Sequence, residues 1–370
     1  MPATLAQRAV IATCGRHGLG PVDALRQVLA ELDLVATPMD LRRTLGLMRG
    51  APRQLAETLL EYMPRSGAES YAGYHLWFHA GDNHHGRDWF ASIVPQPGAE
   101  PPLVELQQLA RAVIDDDDLV RRFEKEHRRL AELQHPHVVP CVDHGVVPEA
   151  GPYRCIPYRE SPTLGRLLER RGTLTVPEVL TVAIQAGMGL DALHDAGLLH
   201  RDLDVDGVVV APSGLVQVLD AGRAGDRPLT VPPSVSPLTP RGIQDWAGQD
   251  RNPGTRRWRK VDRTRLELWL LPPNPMAPEV VAGGMPDRRT DVYRLGALLV
   301  LALTGSEDPA TLERLPALDH GLVRLLRACK DVDPARRPTA AEVVAYGEAV
   351  RETLRLPRQQ PMTGRIVRPG

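Results

Sequence analysis

The sequence predicts an α+β protein in which helices come first, strands follow and a longer helical part completes the chain. Helical periodicity punctuated by Gly and Pro fills residues 1–66. Short β-branched and aromatic runs separated by turn residues lie between residues 74 and 158. The later part combines apolar helical patterns with one buried hairpin at residues 208–219. A length of 370 residues fits two domains, or one large domain with an appendage.

Composition narrows the classes of function. A net charge of -1 and a pI near 6.9 argue against a general nucleic-acid or membrane-surface partner. The four cysteines are scattered without a Cys-x-x-Cys pair, which favours reduced thiols and a cytoplasmic location. The N-terminus lacks a signal pattern, and the longest apolar run, residues 295–303, is too short to cross a bilayer. We therefore expect a cytoplasmic protein without a membrane partner.

Residues 1–66 predict a helical bundle. Pro21 and Pro38 stand just before or at helix starts, Asp40 suits a first helical turn, and Gly50 follows a helix end. The expected helices cover residues 4–14, 22–34, 39–48 and 53–62. We interpret this bundle as a module for interaction or oligomerisation, with a protein partner that the sequence does not name.

Residues 74–94 predict a strand, a tight loop at 81–86 and a second strand. Four histidines, His75, His79, His84 and His85, lie near this loop. Because residues i and i+4 of a regular strand share a face, a metal site is one interpretation. No cysteine lies nearby, and solvated histidines on a hairpin explain the pattern adequately. Further strands at 103–109, 142–147 and 153–158 and a helix at 119–133 are expected.

The stretch from His200 to Gly222 predicts a loop, a strand, a turn and a second strand. The β-branched run 208–210 and the apolar run 215–219 flank Pro212-Ser213-Gly214, which supplies turn chemistry. Asp202 precedes the hairpin and Asp220 follows it, so both carboxylates are expected at the same end. Two acids held in this way can position a hydroxyl group and a metal-bound phosphate.

These residues resemble the catalytic hairpin of protein kinases. His200-Arg201-Asp202-Leu203 is similar to the HRDL loop, and Asp220-Ala221-Gly222 is similar to DFG with Ala in place of Phe. An αC-like helix precedes them. An APE-like element ending at Glu279, an αF-like start at Asp291 and a late motif with Arg337 follow. Residues that support the fold by this resemblance are His200, Arg201, Gly222, Glu279, Asp291 and Arg337, with Arg337 pairing with Glu279.

The resemblance covers residues 74–355 and implies a bilobal protein-kinase-like fold preceded by a small all-α domain at 1–66. It implies an N-lobe at 74–157, a C-lobe at 161–355 and a long activation-segment-like loop at 220–279. Residues 356–370 are expected to form a flexible tail. We expect protein partners to use residues 1–66 and the loop 223–275, which is rich in Pro and contains a basic run at 256–265.

The resemblance also implies a nucleotide site with altered residues. Gly81 and Gly86 keep two glycine positions of the phosphate loop, and the αC glutamate falls on Glu126. Counting back from Glu126 puts Gln107 where the family carries its phosphate-binding lysine. The hinge would use backbone groups of Pro157 and Arg159 for a base, and Asp220 would be the Mg²⁺ ligand.

Three positions of the kinase motifs carry residues that predict weak phosphate and Mg²⁺ binding and little phosphoryl transfer. Gln107 and Asp204 replace lysines, and Gly207 replaces the asparagine that holds a second Mg²⁺. The two lysine changes together remove three units of positive charge, each worth about 4 kcal/mol at close range before solvation offsets it. We therefore predict a pseudokinase, a binding, allosteric or scaffolding module that requires no cofactor and binds ATP and Mg²⁺, if at all, at reduced affinity.

Two other interpretations stay open. An active serine/threonine kinase would use Asp202 as the base and Asp220 as the metal ligand, since both survive. A nucleotide sensor without turnover would bind ATP through Asp220 and transfer nothing.

Overall fold

A computed structural model describes residues 3–83, 86–94, 101–109, 117–148, 150–219, 221, 277–315, 318–357 and 361–362. The chain divides into two compact units. Unit 1 comprises Met1–Glu132 and Pro140–Glu160, and unit 2 comprises Leu133–Val139 and Ser161–Gly370. The boundary after Glu160 directly follows the predicted hinge.

Unit 1 begins with four helices, as the sequence predicts. They are α1 (Leu5–His17), α2 (Val22–Ala30), α3 (Pro38–Leu47) and α4 (Arg53–Tyr62). Thr4 and Gln7 form a capping box at the start of α1, and Gly18 ends it with φ 65°. Thr37 caps α3, whose first position is Pro38.

The sheet of unit 1 has six antiparallel strands in the order β1-β2-β3-β4-β6-β5. The strands are β1 (Ser70–Tyr71), β2 (Tyr74–Asn83), β3 (Gly86–Ile93), β4 (Val104–Leu109), β5 (Asp143–Val147) and β6 (Gly151–Pro157). Helix α5 (Asp117–Glu132) packs against β5 and β6. This sheet with its single helix is the predicted small lobe.

The four helices and the sheet share one hydrophobic core. Val10 and Leu59 of the helices lie in the same buried cluster as Phe78, Phe90 and Leu103 of the strand region. The predicted domain boundary after residue 66 is therefore not a boundary between compact units. One face of the sheet is apolar at these positions, and the helices cover it.

The histidines of β2 do not share a face as a regular strand would place them. His75 pairs with Ser92 and His79 pairs with Trp89, and one register shift, between Leu76 and Phe78, separates the two histidines. Because Ser92 and Trp89 are three residues apart on β3, the histidines opposite them point to different faces. The geometric argument for a metal site here was wrong. His84 and His85 lie outside the described residues.

Unit 2 is mostly helical around one short hairpin, β7 (Val208–Val210) with β8 (Val216–Val218). Its helices are α6 (Leu164–Arg171), α7 (Val176–Asp195), α8 (Pro278–Val281), α9 (Arg288–Thr304), α10 (His320–Cys329) and α11 (Ala340–Thr353), with 3₁₀ turns at Pro309–Arg314 and Pro334–Arg336. The buried helix α7 packs against α9, α11 and β8.

Two glycines of α7 let other chain segments approach closely. A Cβ at Gly189 would lie 2.4 Å from the His137 carbonyl oxygen and 2.9 Å from Val218 of β8. A Cβ at Gly187 would instead meet Val344 of α11 at 3.0 Å. Gly189 therefore lets the hairpin approach α7, whereas Gly187 lets α11 approach it.

The predicted flexible tail is anchored at Met362. This residue is buried, and its N–H donates to the Pro212 carbonyl 3.2 Å away.

By length and composition alone, α7 could cross a membrane, but 67% of its most apolar window is buried in the structure. That burial is typical of a core helix.

Candidate functional site

The predicted catalytic loop of unit 2 is fixed by one buried carboxylate on α9. Asp291 accepts hydrogen bonds from the backbone N–H groups of His200 (2.9 Å) and Arg201 (2.7 Å). The Nε2 atom of His194 lies 2.9 Å from the same carboxylate. Burial alone would raise the pKa of Asp291, but these partners hold it below its usual value. The carboxylate therefore stays charged and holds the loop backbone.

His200 and Arg201 shape the loop as the resemblance implies. His200 is fully buried, and its Nε2 atom lies 2.6 Å from the Leu219 carbonyl at the end of the hairpin. Arg201 has φ 69°, a left-handed conformation that non-glycine residues seldom adopt. Two backbone hydrogen bonds to Asp291 and one side-chain contact to the hairpin thus define the approach to Asp202.

Asp202, the candidate base, forms an ion pair with an arginine of α9. The Nη2 atom of Arg294 lies 3.2 Å from Oδ1 of Asp202, and its Nε donates to the Leu203 carbonyl at 2.7 Å. The two side chains are only 3% and 9% exposed. The sequence analysis missed Arg294, although a charged residue inside the apolar run after Asp291 is a visible signal.

Asp204 caps the turn that follows Asp202. Its Oδ1 accepts the N–H groups of Asp206 (2.9 Å) and Gly207 (2.8 Å). Burial first, and then the charges of Asp202 and Asp206, raise the pKa of Asp204 to about 6. Where the family carries a lysine, this chain has a carboxylate committed to local turn geometry, and Gly207 contributes only backbone atoms.

The second acid of the predicted pair cannot be described. Asp220 and Gly222 lie outside the described residues, as does the loop 223–275. Ala221 is described and is 4% exposed.

The remaining predicted pair of unit 2 forms as expected. Arg337, fully buried, donates two hydrogen bonds of 2.7 Å to the carboxylate of Glu279, one to each oxygen. Burial would raise the pKa of Glu279, but the guanidinium of Arg337 brings it below its usual value. This bidentate pair ties the short α8 to the turn before α11.

In unit 1, Gln107 contacts a buried arginine. Nε of Arg154 on β6 donates to Oε1 of Gln107 on β4, directly opposite in the strand register. Arg154 has no exposed surface. The sequence analysis missed Arg154, because only strand pairing brings it to Gln107.

The other predicted nucleotide residues of unit 1 lie on β2, β3, α5 and the end of β6. β2 and β3 extend to Asn83 and Gly86, which pair with each other, so Gly81 and Gly86 both lie within paired strands. Glu126 lies partly buried on α5. Pro157 ends β6, and burial lowers the pKa of the partly buried Arg159 that follows.

A family model described as protein tyrosine and serine/threonine kinase matches residues 105–227. The kinase domain of PknI from Mycobacterium tuberculosis superposes with a TM-score of 0.54 and 22% identity, covering 76% of this chain and 96% of that domain. Residues 105–227 thus match the protein kinase family, and the chain has a protein-kinase-like fold. The structural likeness establishes the fold of this kinase-like chain.

Several bacterial serine/threonine-protein kinases are similar in sequence to this kinase-like chain. PknK of Mycobacterium tuberculosis is 27% identical over 249 residues, 67% of this chain and 19% of PknK. Pkn3 of Myxococcus xanthus is 25% identical over 264 residues, which cover 65% of this chain and 43% of Pkn3. The DNA damage-responsive kinase RqkA of Deinococcus radiodurans is 33% identical over 189 residues, which cover 50% of this chain and 24% of RqkA. The chain thus spans less than half the length of each of these relatives.

Around the lysine position, the described residues of this kinase-like chain carry charges of both signs. The lysine position holds Gln107, and the neighbouring residue on the same face of β4 is Glu105. Within the described ranges, no group of three or more His, Cys, Asp or Glu side chains is arranged to hold a metal ion. The charge of Glu105 opposes a polyanion at this position, whereas the guanidinium of Arg154 beside Gln107 would attract one.

Proposed function

We propose that this chain is a pseudokinase, a kinase-fold binding, allosteric or scaffolding module with little or no phosphoryl transfer. The observation that carries the proposal is the ion pair between Asp202 and Arg294. A catalytic base must accept the proton of a substrate hydroxyl, and a carboxylate paired with a buried guanidinium is a weak proton acceptor. Arg294 is also held by the Leu203 carbonyl, so the pair is fixed in place.

The charge around Asp202 supports the same proposal. Phosphoryl transfer depends on positive groups that stabilise the charge of the transferred phosphoryl group. The carboxylates of Asp202, Asp204 and Asp206 lie within five residues of one another in the loop, and Arg294 pairs with the first of them. A phosphate approaching this loop would be repelled by the acids.

As a module without turnover, the chain would act through its surfaces. We propose that protein partners bind through residues 1–66 and the loop 223–275, and that the chain is cytoplasmic. Contacts such as Glu279–Arg337 would then serve to keep the scaffold rigid.

A second candidate, an active kinase that uses ATP, is favoured by Arg154. Its guanidinium adjoins Gln107 and would supply the positive charge that the glutamine lacks. Asp202 would be the base and Asp220 the metal ligand. A third candidate, a nucleotide sensor, would share the binding step and lack the transfer step.

One experiment separates the three candidates. Purified chain is incubated with labelled ATP and either Mg²⁺ or Mn²⁺, beside the Asp202→Asn variant, and thermal shifts are recorded with and without ATP. The pseudokinase proposal predicts no transfer that depends on Asp202. Transfer abolished by Asp202→Asn would establish the active kinase. A thermal shift without transfer, removed by Asp220→Ala, would establish the sensor.

A further inference from the structure

One face of the unit 1 sheet corresponds to the side on which the family binds nucleotide, because it carries Gln107. Side chains alternate along a strand, so Glu105 shares that face with Gln107. Directly opposite residues of paired strands also share a face, and β3 places Asp88 opposite Gln107 and Phe90 opposite Glu105. β6 places Arg154 opposite Gln107 on this face as well. We call Asp88, Phe90, Glu105, Gln107 and Arg154 the nucleotide face.

The nucleotide face carries two buried carboxylates. Asp88 is 6% exposed and Glu105 is 8% exposed. Buried acids need cationic or hydrogen-bonding partners, because an uncompensated charge in the interior is costly. The guanidinium of Arg154, held by Gln107, offsets one of these two charges, so the face still favours a second cation beside Glu105.

Helix α1 supplies that cation. The Nη2 atom of Arg16 donates to Oε2 of Glu105 at 2.7 Å, and its guanidinium carbon lies 5.5 Å from the centre of the Phe90 ring. The charge of Glu105, with a smaller contribution from Asp88, raises the pKa of Arg16 although burial opposes it. A carboxylate beside an aromatic ring is a favourable environment for a guanidinium group.

Other contacts hold the same helix against the sheet region. Arg8 of α1 donates to the Pro101 carbonyl just before β4, at 3.2 Å. Nε2 of His17 lies 3.2 Å from the His79 carbonyl of β2, and the His17 ring lies 4.1 Å from that of Tyr62. The Arg16 contact is thus one of several along α1, and the apolar core lies beneath them.

We propose that the nucleotide face of this chain is an arginine-binding site whose resident ligand is Arg16 of the N-terminal helices. The carboxylate of Glu105 and the ring of Phe90 form the site. Helix α1 then takes the place that a nucleotide takes in the family, and a nucleotide could reach this face only after Arg16 leaves it. The proposal is independent of the pseudokinase proposal, since a transferase could be closed in the same way.

The test uses hydrogen exchange of the full chain, read out in peptides from α1 and β4. Arg16→Ala and Glu105→Gln should each speed hydrogen exchange at the end of α1 about tenfold. The double variant should exchange no faster than either single variant, because both substitutions remove the same contact between Arg16 and Glu105. The matched control is Arg53→Ala, which removes an exposed ion pair with Glu57. Additive effects of the two changes would overturn the proposal.

Ligand rescue tests the chemistry of the site. Millimolar ethylguanidinium should slow α1 exchange in Arg16→Ala and leave the Arg16→Ala/Glu105→Gln variant unchanged. Equal effects on both variants, or none on either, would overturn the proposal, as would protection of β4 by MgATP in the unaltered chain. Unchanged exchange in α7 shows that the variants are folded. Failure of rescue says nothing about phosphoryl transfer, which the labelled-ATP assay reads separately.

Discussion

Asp202 and Asp204 stand two residues apart, yet their surroundings give them different chemistry. Asp202 is paired with Arg294, whereas Asp204 is partly buried near other acids and caps a turn. Arg294 and Arg154 are both buried, and each adjoins a residue that the kinase resemblance places at the chemical centre. The local charge therefore differs from what the motif letters alone suggest.

Replacing Asp204 by Asn should change the pH dependence of stability. The folded pKa of Asp204, about 6, lies above its ordinary value of 3.8, so the charged form destabilises the fold. Unaltered protein should gain stability as the pH falls from above 6 to below 3.8. Asp204→Asn keeps the Oδ1 acceptor and lacks this penalty. It should be more stable by about 1 kcal/mol at pH 7.5, after allowance for partial exposure, and show no advantage near pH 4.

Thermal melts across this pH range check the prediction. The control is Glu169→Gln, an exposed acid on α6. A constant difference between Asp204→Asn and the unaltered chain at all pH values would show that the turn, and not the charge, determines the effect.

Restoring the family lysine at position 107 should destabilise the fold of unit 1. Gln107→Lys would place an ammonium group beside the buried guanidinium of Arg154 and remove its acceptor. We expect a loss of about 3 kcal/mol in the free energy of unfolding, with at least half recovered by adding Arg154→Gln. Chemical denaturation measures both. Gln108→Lys, the next residue on the strand and partly exposed, is the control and should cost far less.

At the scale of elements, α9 organises the catalytic loop. Through Asp291 it binds two backbone N–H groups of the loop and His194 of α7, and through Arg294 it binds Asp202 and Leu203. The capping box of Asp287 and Thr290 fixes where α9 begins. The position of the loop is thus a consequence of one helix and its register.

Asp291→Asn should loosen this loop. The asparagine amide would turn an NH₂ group, which cannot accept a hydrogen bond, toward the N–H groups of His200 and Arg201. Removing one partner of a buried charge network costs about 3–5 kcal/mol in the free energy of unfolding. We expect faster hydrogen exchange in peptides covering residues 198–210 and in α7. Asp195→Asn, at an exposed position, should leave both unchanged. Equal exchange in the two variants would contradict the role of Asp291.

At the scale of the whole molecule, the N-terminal helices share their core with the sheet of unit 1. Phe90 is fully buried in that shared cluster, while Ile93 on the same strand is 49% exposed. Helices and sheet should therefore respond together to damage in the core.

Phe90→Ala tests this shared core. Loss of the ring should cost about 3–5 kcal/mol and speed exchange in α1–α4 and β2–β4 alike, with α7 and α9 of unit 2 unaffected. Ile93→Ala is the control and should have a small effect. Exchange that rises in the strands alone would mean that residues 1–66 fold independently, as the sequence suggested.

The sequence by itself determined the helices of residues 1–66, the hairpin at 208–219 and the order of kinase-like motifs. Each follows from local chemistry: caps such as Thr4 and Thr37, β-branched runs such as Val208–Val210, and fixed motif spacing. The Glu279–Arg337 pair could also be predicted, because the motif supplies both partners.

Only the tertiary structure decided which residues meet. Arg154 reaches Gln107 through strand register, Arg294 reaches Asp202 from a helix about ninety residues later, and Arg16 reaches Glu105 across the unit 1 core. A register shift between Leu76 and Phe78 of β2 puts His75 and His79 on different faces, although periodicity alone predicts one face. The physical reason is the same in each case. A charge is compensated by whatever group packing brings near it, and packing depends on contacts that are distant in the chain.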